Sequence, residues 1–262
     1  MCLALIAINK HPKYPLIILS NRDEFYARPT SSAHFWQDNL NVFAGRDLKE
    51  GGTWLGITRS GYFALLTNYR DPQLYDLSLE SRGKLVSDYL FTCESISPLQ
   101  YLQKIQSCSD KYNKFNLIVG SINQIVYYSN IQNTIQTLSS GIYSLSNHLL
   151  NTSWPKTEKA KALFKKHIGE LDKYTNNQEK IDFLYTILSD KSLAPDNQLP
   201  KTGIAHDLEK SLSSIFVHVP QAKYGTVNST IILFQRDSSI LFSEKIFHKS
   251  NFISSKLATI CP

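Results

Sequence analysis

Apolar residues run without a break from Cys2 to Ile8 and again from Leu16 to Leu19. Continuous runs of this length read as strands buried on both faces, because a strand with one wet face would alternate. Between them, Lys10-His11-Pro12-Lys13-Tyr14-Pro15 has the character of a hairpin connection. The second run ends in Asn21-Arg22-Asp23-Glu24, four polar residues together. Val42–Ala44 and Trp54–Thr58 are strand-like, Arg59-Ser60-Gly61 reads as a turn, and Tyr62–Thr67 returns as the other arm of a hairpin.

The period then changes. Leu85, Val86, Tyr89, Leu90 and Cys93 recur at helical spacing. Ser97-Pro98-Leu99-Gln100 combines an N-cap serine, a proline at the first helical position and a capping-box glutamine, and Leu99, Leu102 and Ile105 follow on one side. Strands resume at Phe115–Gly120, Gln124–Ser129 and Ile142–Leu145. A second helical pair is marked by Ala160, Leu163, Phe164, Ile168 and Leu171, then by Ile181, Leu184, Tyr185 and Leu188. Ile215–Val217, Thr230–Phe234 and Ile240–Phe247 close the chain as strands. Hairpins outnumber βαβ units, which argues against a doubly wound parallel sheet. Two strand groups, each followed by two helices, predict an α+β chain with two stacked sheets between helix layers. No linker or repeat divides residues 1–262, so one domain is expected.

With 28 basic and 22 acidic residues, the formal charge is +6. The basic residues are scattered. The densest cluster, Lys165-Lys166-His167, falls on the polar face of a helix, so no nucleic-acid footprint is indicated. The four cysteines form no CxxC pair and no Cys/His group has zinc spacing, so no metal site is expected. His148, His206 and His218 likewise lack ligand spacing. Sparse cysteine usage suits a reducing compartment. The apolar start is too short for a signal h-region or a membrane span, and the last four residues are not a prenylation box. A cytoplasmic protein without a transmembrane segment is the resulting expectation.

Cys2 carries the sharpest chemical suggestion. Removal of Met1 would leave a free α-amine, with a pKa of about 7.7–8.0, on the same residue as a thiol. That is a nucleophile with its own base. By position alone, however, Cys2 reads more readily as a small buried hydrophobe, the usual place of a free cysteine. Arg22 and Asp23 strengthen the chemical reading. If the second strand pairs with the first, its end returns beside residue two. An Asp there could hold the amine, and an Arg could lower the thiol pKa or bind a carboxylate. The competing reading of the polar block is an ordinary exposed turn. Asn68 and Asn147 stand at the ends of apolar strands, where an amide could donate to a developing oxyanion or merely cap a turn. Gly51-Gly52-Thr53-Trp54 lacks the lysine and helix of a phosphate loop.

Taken together, several stretches carry a resemblance: Met1-Cys2; Ser20-Asn21-Arg22-Asp23-Glu24-Phe25 with Arg28-Pro29; Ala44-Gly45-Arg46-Asp47-Leu48; Gly51-Gly52-Thr53-Trp54-Leu55-Gly56; Leu66-Thr67-Asn68; Ser146-Asn147 with Trp154-Pro155-Lys156; and Tyr224-Gly225-Thr226 with Ser229-Thr230. In this order they resemble the NRDE family, which includes the transport and Golgi organisation protein 2 homologues. The match is dense up to residue 70 and sparse from 157 to 213. That family is in turn similar to the cysteine-type N-terminal nucleophile hydrolases, whose fold is a four-layer αββα sandwich. The resemblance implies Cys2 as nucleophile, Asp23 as its acidic partner, and Asn68 and Asn147 at the oxyanion hole. Arg22 is placed there too, although the amidases' arginine stands a few residues before the aspartate. The implied reaction is hydrolysis of a C–N bond in a small acyl amide, with no cofactor. The family's association with haem or lipid trafficking implies an alternative, a non-enzymatic carrier of haem or an acyl lipid. One departure stands out: family members usually carry Arg after Tyr-Gly-Thr, and here the residue is Val227.

Overall fold

The structure, a computed structural model, describes residues 2–262; Met1 and the side chain of Cys2 lie outside the described residues. The expected removal of Met1 therefore lies outside them too.

Six strands come first: β1 (Cys2–Ile8), β2 (Leu16–Phe25), β3 (Thr30–Phe35), β4 (Val42–Asp47), β5 (Leu55–Thr58) and β6 (Phe63–Asn68). Helices α1 (Gly83–Thr92) and α2 (Pro98–Gln106) follow, then β7 (Phe115–Ser121), β8 (Gln124–Ser129), β9 (Thr134–Thr137) and β10 (Gly141–Leu145). Helices α3 (Pro155–Glu170), α4 (Asn177–Leu188) and α5 (His206–Ser211) precede β11 (His218–Val219), β12 (Tyr224–Phe234), β13 (Ile240–His248) and β14 (Asn251–Ile260).

Two antiparallel sheets result. One has the order β10-β1-β2-β12-β13-β14, with β11 paired to β12; the other runs β3 to β9 in sequence order. The continuous apolar runs now have a cause. Successive side chains of a strand face opposite ways, so β1 serves two cores. Ala4, Ile6 and Ile8 pack into the layer between the sheets, against residues such as Phe43, Ile57 and Phe63. Leu3, Leu5 and Ala7 pack outward, beneath Ala160 and Phe164 of α3 and Leu184 of α4. Helices α1 and α2 cover the far face of the second sheet through Leu85, Tyr89 and Leu102. The layer order is helix, sheet, sheet, helix, as the sequence predicts. Ser97 and Gln100 form the expected reciprocal capping box at the start of α2.

Other expectations need correction. The polar block Asn21–Glu24 is not a turn. β2 continues to Phe25, and Asn21 to Asp23 are buried. Burial is tolerated because the groups are bonded. The Asn21 amide donates to the carbonyls of Leu188 and Ile215, both at 2.9 Å, and its oxygen accepts from the Ser229 hydroxyl at 2.6 Å. It thereby satisfies a carbonyl at the open end of α4. Ile215–Val217 is irregular, and the strand begins only at His218. Its apolar residues are buried between elements, which their pattern alone does not distinguish from a strand. β12 begins at Tyr224, well before Thr230. β3, β9, α5 and β14 are additional elements.

Candidate functional site

Strand pairing delivers the end of β2 to the head of β1. Cys2 and Arg22 are register partners in the antiparallel pair. On the other side of β2, β12 pairs Thr226 with Asp23 and then Asn228 with Arg22. Val227 is the extra residue of a bulge between them. Bulges re-aim side chains and are common beside active sites.

Asp23 is 1% exposed. Its Oδ1 accepts from the Thr226 hydroxyl at 2.7 Å, and its carbonyl accepts from the Tyr224 hydroxyl at 2.8 Å. Burial drives the Asp23 pKa up from its ordinary value; the charge of Lys156, the Thr226 bond and Arg70 oppose that rise. Lys156 itself is buried in the first turn of α3. A lysine there stands against the positive end of the helix dipole, so the buried Asp23 is a reason for it to be tolerated.

Arg22 is equally enclosed. Its guanidinium lies 4.1 Å over the Trp54 ring and donates to the Thr30 hydroxyl at 3.0 Å. Carboxylate oxygens of Glu24 and Asp47 stand 3.9 Å away. Asp47 also pairs with Arg28 at 2.7 Å. Burial pushes the Asp47 carboxyl up, but bonds from Arg28 and from the Lys49 and Glu50 amides outweigh it and hold the pKa below the ordinary value. Gly45 allows the Trp54 platform, because a Cβ there would stand 2.5 Å from the ring.

Arg22, Asp23, Trp54, Asn68 and Arg70 line one cleft of about 720 Å³. Asn147 is fully buried and joins the cleft wall from behind: its Nδ2 donates to the Asn68 carbonyl at 2.8 Å, and its own carbonyl accepts from the Arg70 amide at 2.7 Å. The Arg70 guanidinium, 5.0 Å from the Trp154 ring, forms a buried ion pair with Glu209 of α5 at 2.6 Å. Among the cleft lining, Phe25, Tyr75 and Leu77 are 56%, 57% and 88% exposed, interspersed with charged residues such as Lys49, Glu50 and Asp76.

Arg22, Asp23 and Asn68 thus share a cleft, Asn147 supports it, and the backbone of Cys2 runs beside it. The thiol itself lies outside the described residues. Sequence reasoning did not single out Arg70, Lys156, Glu209 or Thr226. Lys156 and Thr226 fall inside motifs already noted, Trp154-Pro155-Lys156 and Tyr224-Gly225-Thr226. Nothing in local sequence marks Arg70 or Glu209 as partners. Among the described residues, no three His, Cys, Asp or Glu side chains converge to hold a metal ion, and no helix is long and apolar enough to cross a membrane.

The family described as Transport and Golgi organisation 2 matches residues 1–249. The chain belongs to that family. The human and bovine Transport and Golgi organization protein 2 homologs are 34% identical over 260 residues, covering 94% of this chain and 92% of each relative. The Drosophila melanogaster member is 32% identical over 268 residues with the same coverage. Among solved structures, two forms of conjugated bile acid hydrolase from Clostridium perfringens superpose with TM-scores of 0.52 and 0.51 at 8% and 9% identity. They span 99% and 98% of this chain and 96% of each hydrolase chain. The fold of this chain is therefore the αββα sandwich of the N-terminal nucleophile hydrolase type.

Proposed function

We propose that the protein hydrolyses a C–N amide bond in a small acyl amide, with Cys2 as N-terminal nucleophile after Met1 is removed. The observation that carries this reading is the register: Cys2 pairs with Arg22, beside the buried Asp23, at a cleft large enough for a small molecule. In the reaction, the Cys2 thiol passes its proton to the α-amine and its sulfur attacks the amide carbon. Asp23 orients the amine. The Asn68 amide donates to the oxyanion, Asn147 holds Asn68 in place through the Asn68 carbonyl, and the amine returns the proton to the leaving nitrogen. Water then attacks the thioester, releasing the acid and restoring the thiol. The exposed side chains of Phe25, Tyr75 and Leu77 in the cleft lining offer apolar surface for the acyl portion. Fold similarity to conjugated bile acid hydrolase, one of whose structures is a C2A mutant, supports hydrolysis as the reaction class.

A second reading is a carrier of haem or an acyl lipid; it is favoured by Val227, which follows Tyr224-Gly225-Thr226 where the resemblance implies an arginine. The deciding experiment compares wild type with Cys2→Ala, in turnover of a panel of N-acyl amides and in binding of haem and an acyl lipid. Hydrolysis predicts wild-type turnover reduced about 10⁶-fold in the variant, the scale for a nucleophile that acts as a unit with its base. No wild-type turnover of any amide, with near-normal ligand binding by the variant, overturns it and supports the carrier.

A further inference from the structure

Strand β3 contains a bulge. Its register against β4 jumps from Ser31 opposite Arg46 to His34 opposite Ala44, so Ser32 and Ala33 face Gly45 together. A bulge takes backbone groups out of the ladder, yet Ala33 is fully buried, where unpaired peptide groups are rarely tolerated. The other sheet supplies the partners. Glu244 Oε2 accepts from the Ala33 N–H at 2.7 Å, and Lys256 Nζ donates to the Ala33 carbonyl at 2.8 Å. Glu244 and Lys256 are themselves register partners on β13 and β14. The remaining Glu244 oxygen, Oε1, accepts from the Asn228 amide at 3.2 Å.

Both strands gripped by Glu244 lead to Arg22. Strand β3 also carries Thr30, which accepts from the Arg22 guanidinium. Strand β12 carries Asn228, which stands opposite Arg22 immediately after the bulge at Val227. The charged groups facing Glu244 are Lys256 from β14 and Arg22 from β2; β3 and β12 present the uncharged amides of Ala33 and Asn228.

We propose that Glu244 is a positioning residue for the cleft, fixing Arg22 from two sides through Ala33 and Asn228. An ionised carboxylate accepts from both amides at once. In the neutral acid one oxygen carries a proton and becomes a donor, and glutamine offers only one accepting atom. Burial lifts the Glu244 pKa to about 7, against the Ala33 bond and the charges of Lys256 and Arg22. The two forms therefore exchange near neutral pH, and the hold on Arg22 loosens as pH falls through that range. The inference rests on the place of Arg22 in the cleft and is independent of any chemistry at Cys2.

The test is NMR of the ¹⁵N-labelled full-length protein, with no substrate. In wild type, the Ala33 amide proton and the Arg22 Nε–H should follow one titration curve with a midpoint near 7. In Glu244→Gln both should stay flat over that range. In Lys256→Met, which removes a charge that favours the carboxylate, both curves should move together to higher pH. All of this should persist in Cys2→Ala, which separates it from the nucleophile reading. An Arg22 signal that stays flat while Ala33 titrates, or that titrates unchanged in Glu244→Gln, overturns the proposal. Should Glu244→Gln not fold, the wild-type and Lys256→Met curves decide: joint movement supports it and independent movement overturns it.

Discussion

Asn147 Nδ2 donates a 2.8 Å hydrogen bond to the Asn68 carbonyl, joining the ends of β6 and β10 across the two sheets. The bond holds two candidate oxyanion residues in one relative position, and the Arg70 amide locks Asn147 from its other side. Asn147→Ala should therefore destabilise the fold by about 1–3 kcal/mol, the scale of leaving an enclosed acceptor without its donor. Asn147→Asp should cost more, because it turns a second oxygen toward the same carbonyl. Urea unfolding midpoints of the two variants check the order. Equal midpoints for Asp and Ala would show that this bond does not matter.

Arg70 and Glu209 form an ion pair with side chains only 6% and 4% exposed. Glu209 also accepts from the Thr202 amide at 3.0 Å and from its hydroxyl, so the pair ties α5 and the segment before it to the cleft wall. Removing one partner strands a buried charge, which costs about 3–5 kcal/mol. Glu209→Leu should show that loss. The double variant Arg70→Met with Glu209→Leu should recover most of it, since an apolar pair of similar size avoids the desolvation. A double-mutant cycle measured by urea unfolding gives the coupling. Additive losses would mean that the pair is not the anchor.

What was legible in the sequence followed from burial by apolar side chains. Residues of β1, and Leu16 to Leu19 of β2, announce themselves because both faces of those strands are dry. The Ser97 cap announces itself because its partners are local. Strands β3, β9 and β14 did not, for a different reason. They lie at sheet edges and hold few buried residues, so no apolar period marks them. The polar end of β2 misled because its burial depends on remote partners: Asn21 is satisfied by residues 167 to 208 positions away. The same limit applies to the site. Asp23 could be nominated from its motif, but Thr226 is 203 residues distant, and only strand order brings it near. Lys156 and Glu244 are buried ionisable residues, and nothing in their sequence neighbours forecasts that burial.

Glu244 also makes a stability prediction with a definite sign. Its pKa is lifted in the fold to about 7 from the ordinary 4.5. Between those values the folded state binds more protons than the unfolded chain, so stability must fall as pH rises through that window and level off above it. The full change is on the order of 3 kcal/mol, from about 1.4 kcal/mol for each pH unit. Glu244→Gln should remove this component. The difference in unfolding free energy between wild type and variant should therefore tilt between about pH 5 and pH 8, with wild type relatively weaker at the higher value. Taking the difference cancels the contribution of Asp23, whose pKa is raised by burial in both proteins. A flat difference would place the Glu244 pKa near its ordinary value. The ionised form is thus the less stable one and also the one that grips both amides, a trade between stability and a fixed site.

Val227 offers a test of what an arginine directly after Tyr224-Gly225-Thr226 would add. The residue is half-buried and sits in the bulge between the positions opposite Asp23 and Arg22. It has no ladder partner in β2, so a longer side chain can leave the strand without breaking register. Val227→Arg should accordingly change stability by less than about 1 kcal/mol, as expected away from the packed core. It should also bring a cation to the cleft. At an effective dielectric between water and protein interior, one added charge near a ligand carboxylate contributes on the order of 1 kcal/mol, or about fivefold in rate or affinity. The readout is alkylation of Cys2, mapped by peptide mass, using iodoacetate against iodoacetamide. The variant should raise the ratio of anionic to neutral reagent several-fold at low salt, and about 0.5 M salt should erase the gain by screening. Equal acceleration of both reagents would instead mean that the new arginine only lowers the thiol pKa. An unchanged ratio and unchanged rates would mean that the bulge points its side chain away from the site.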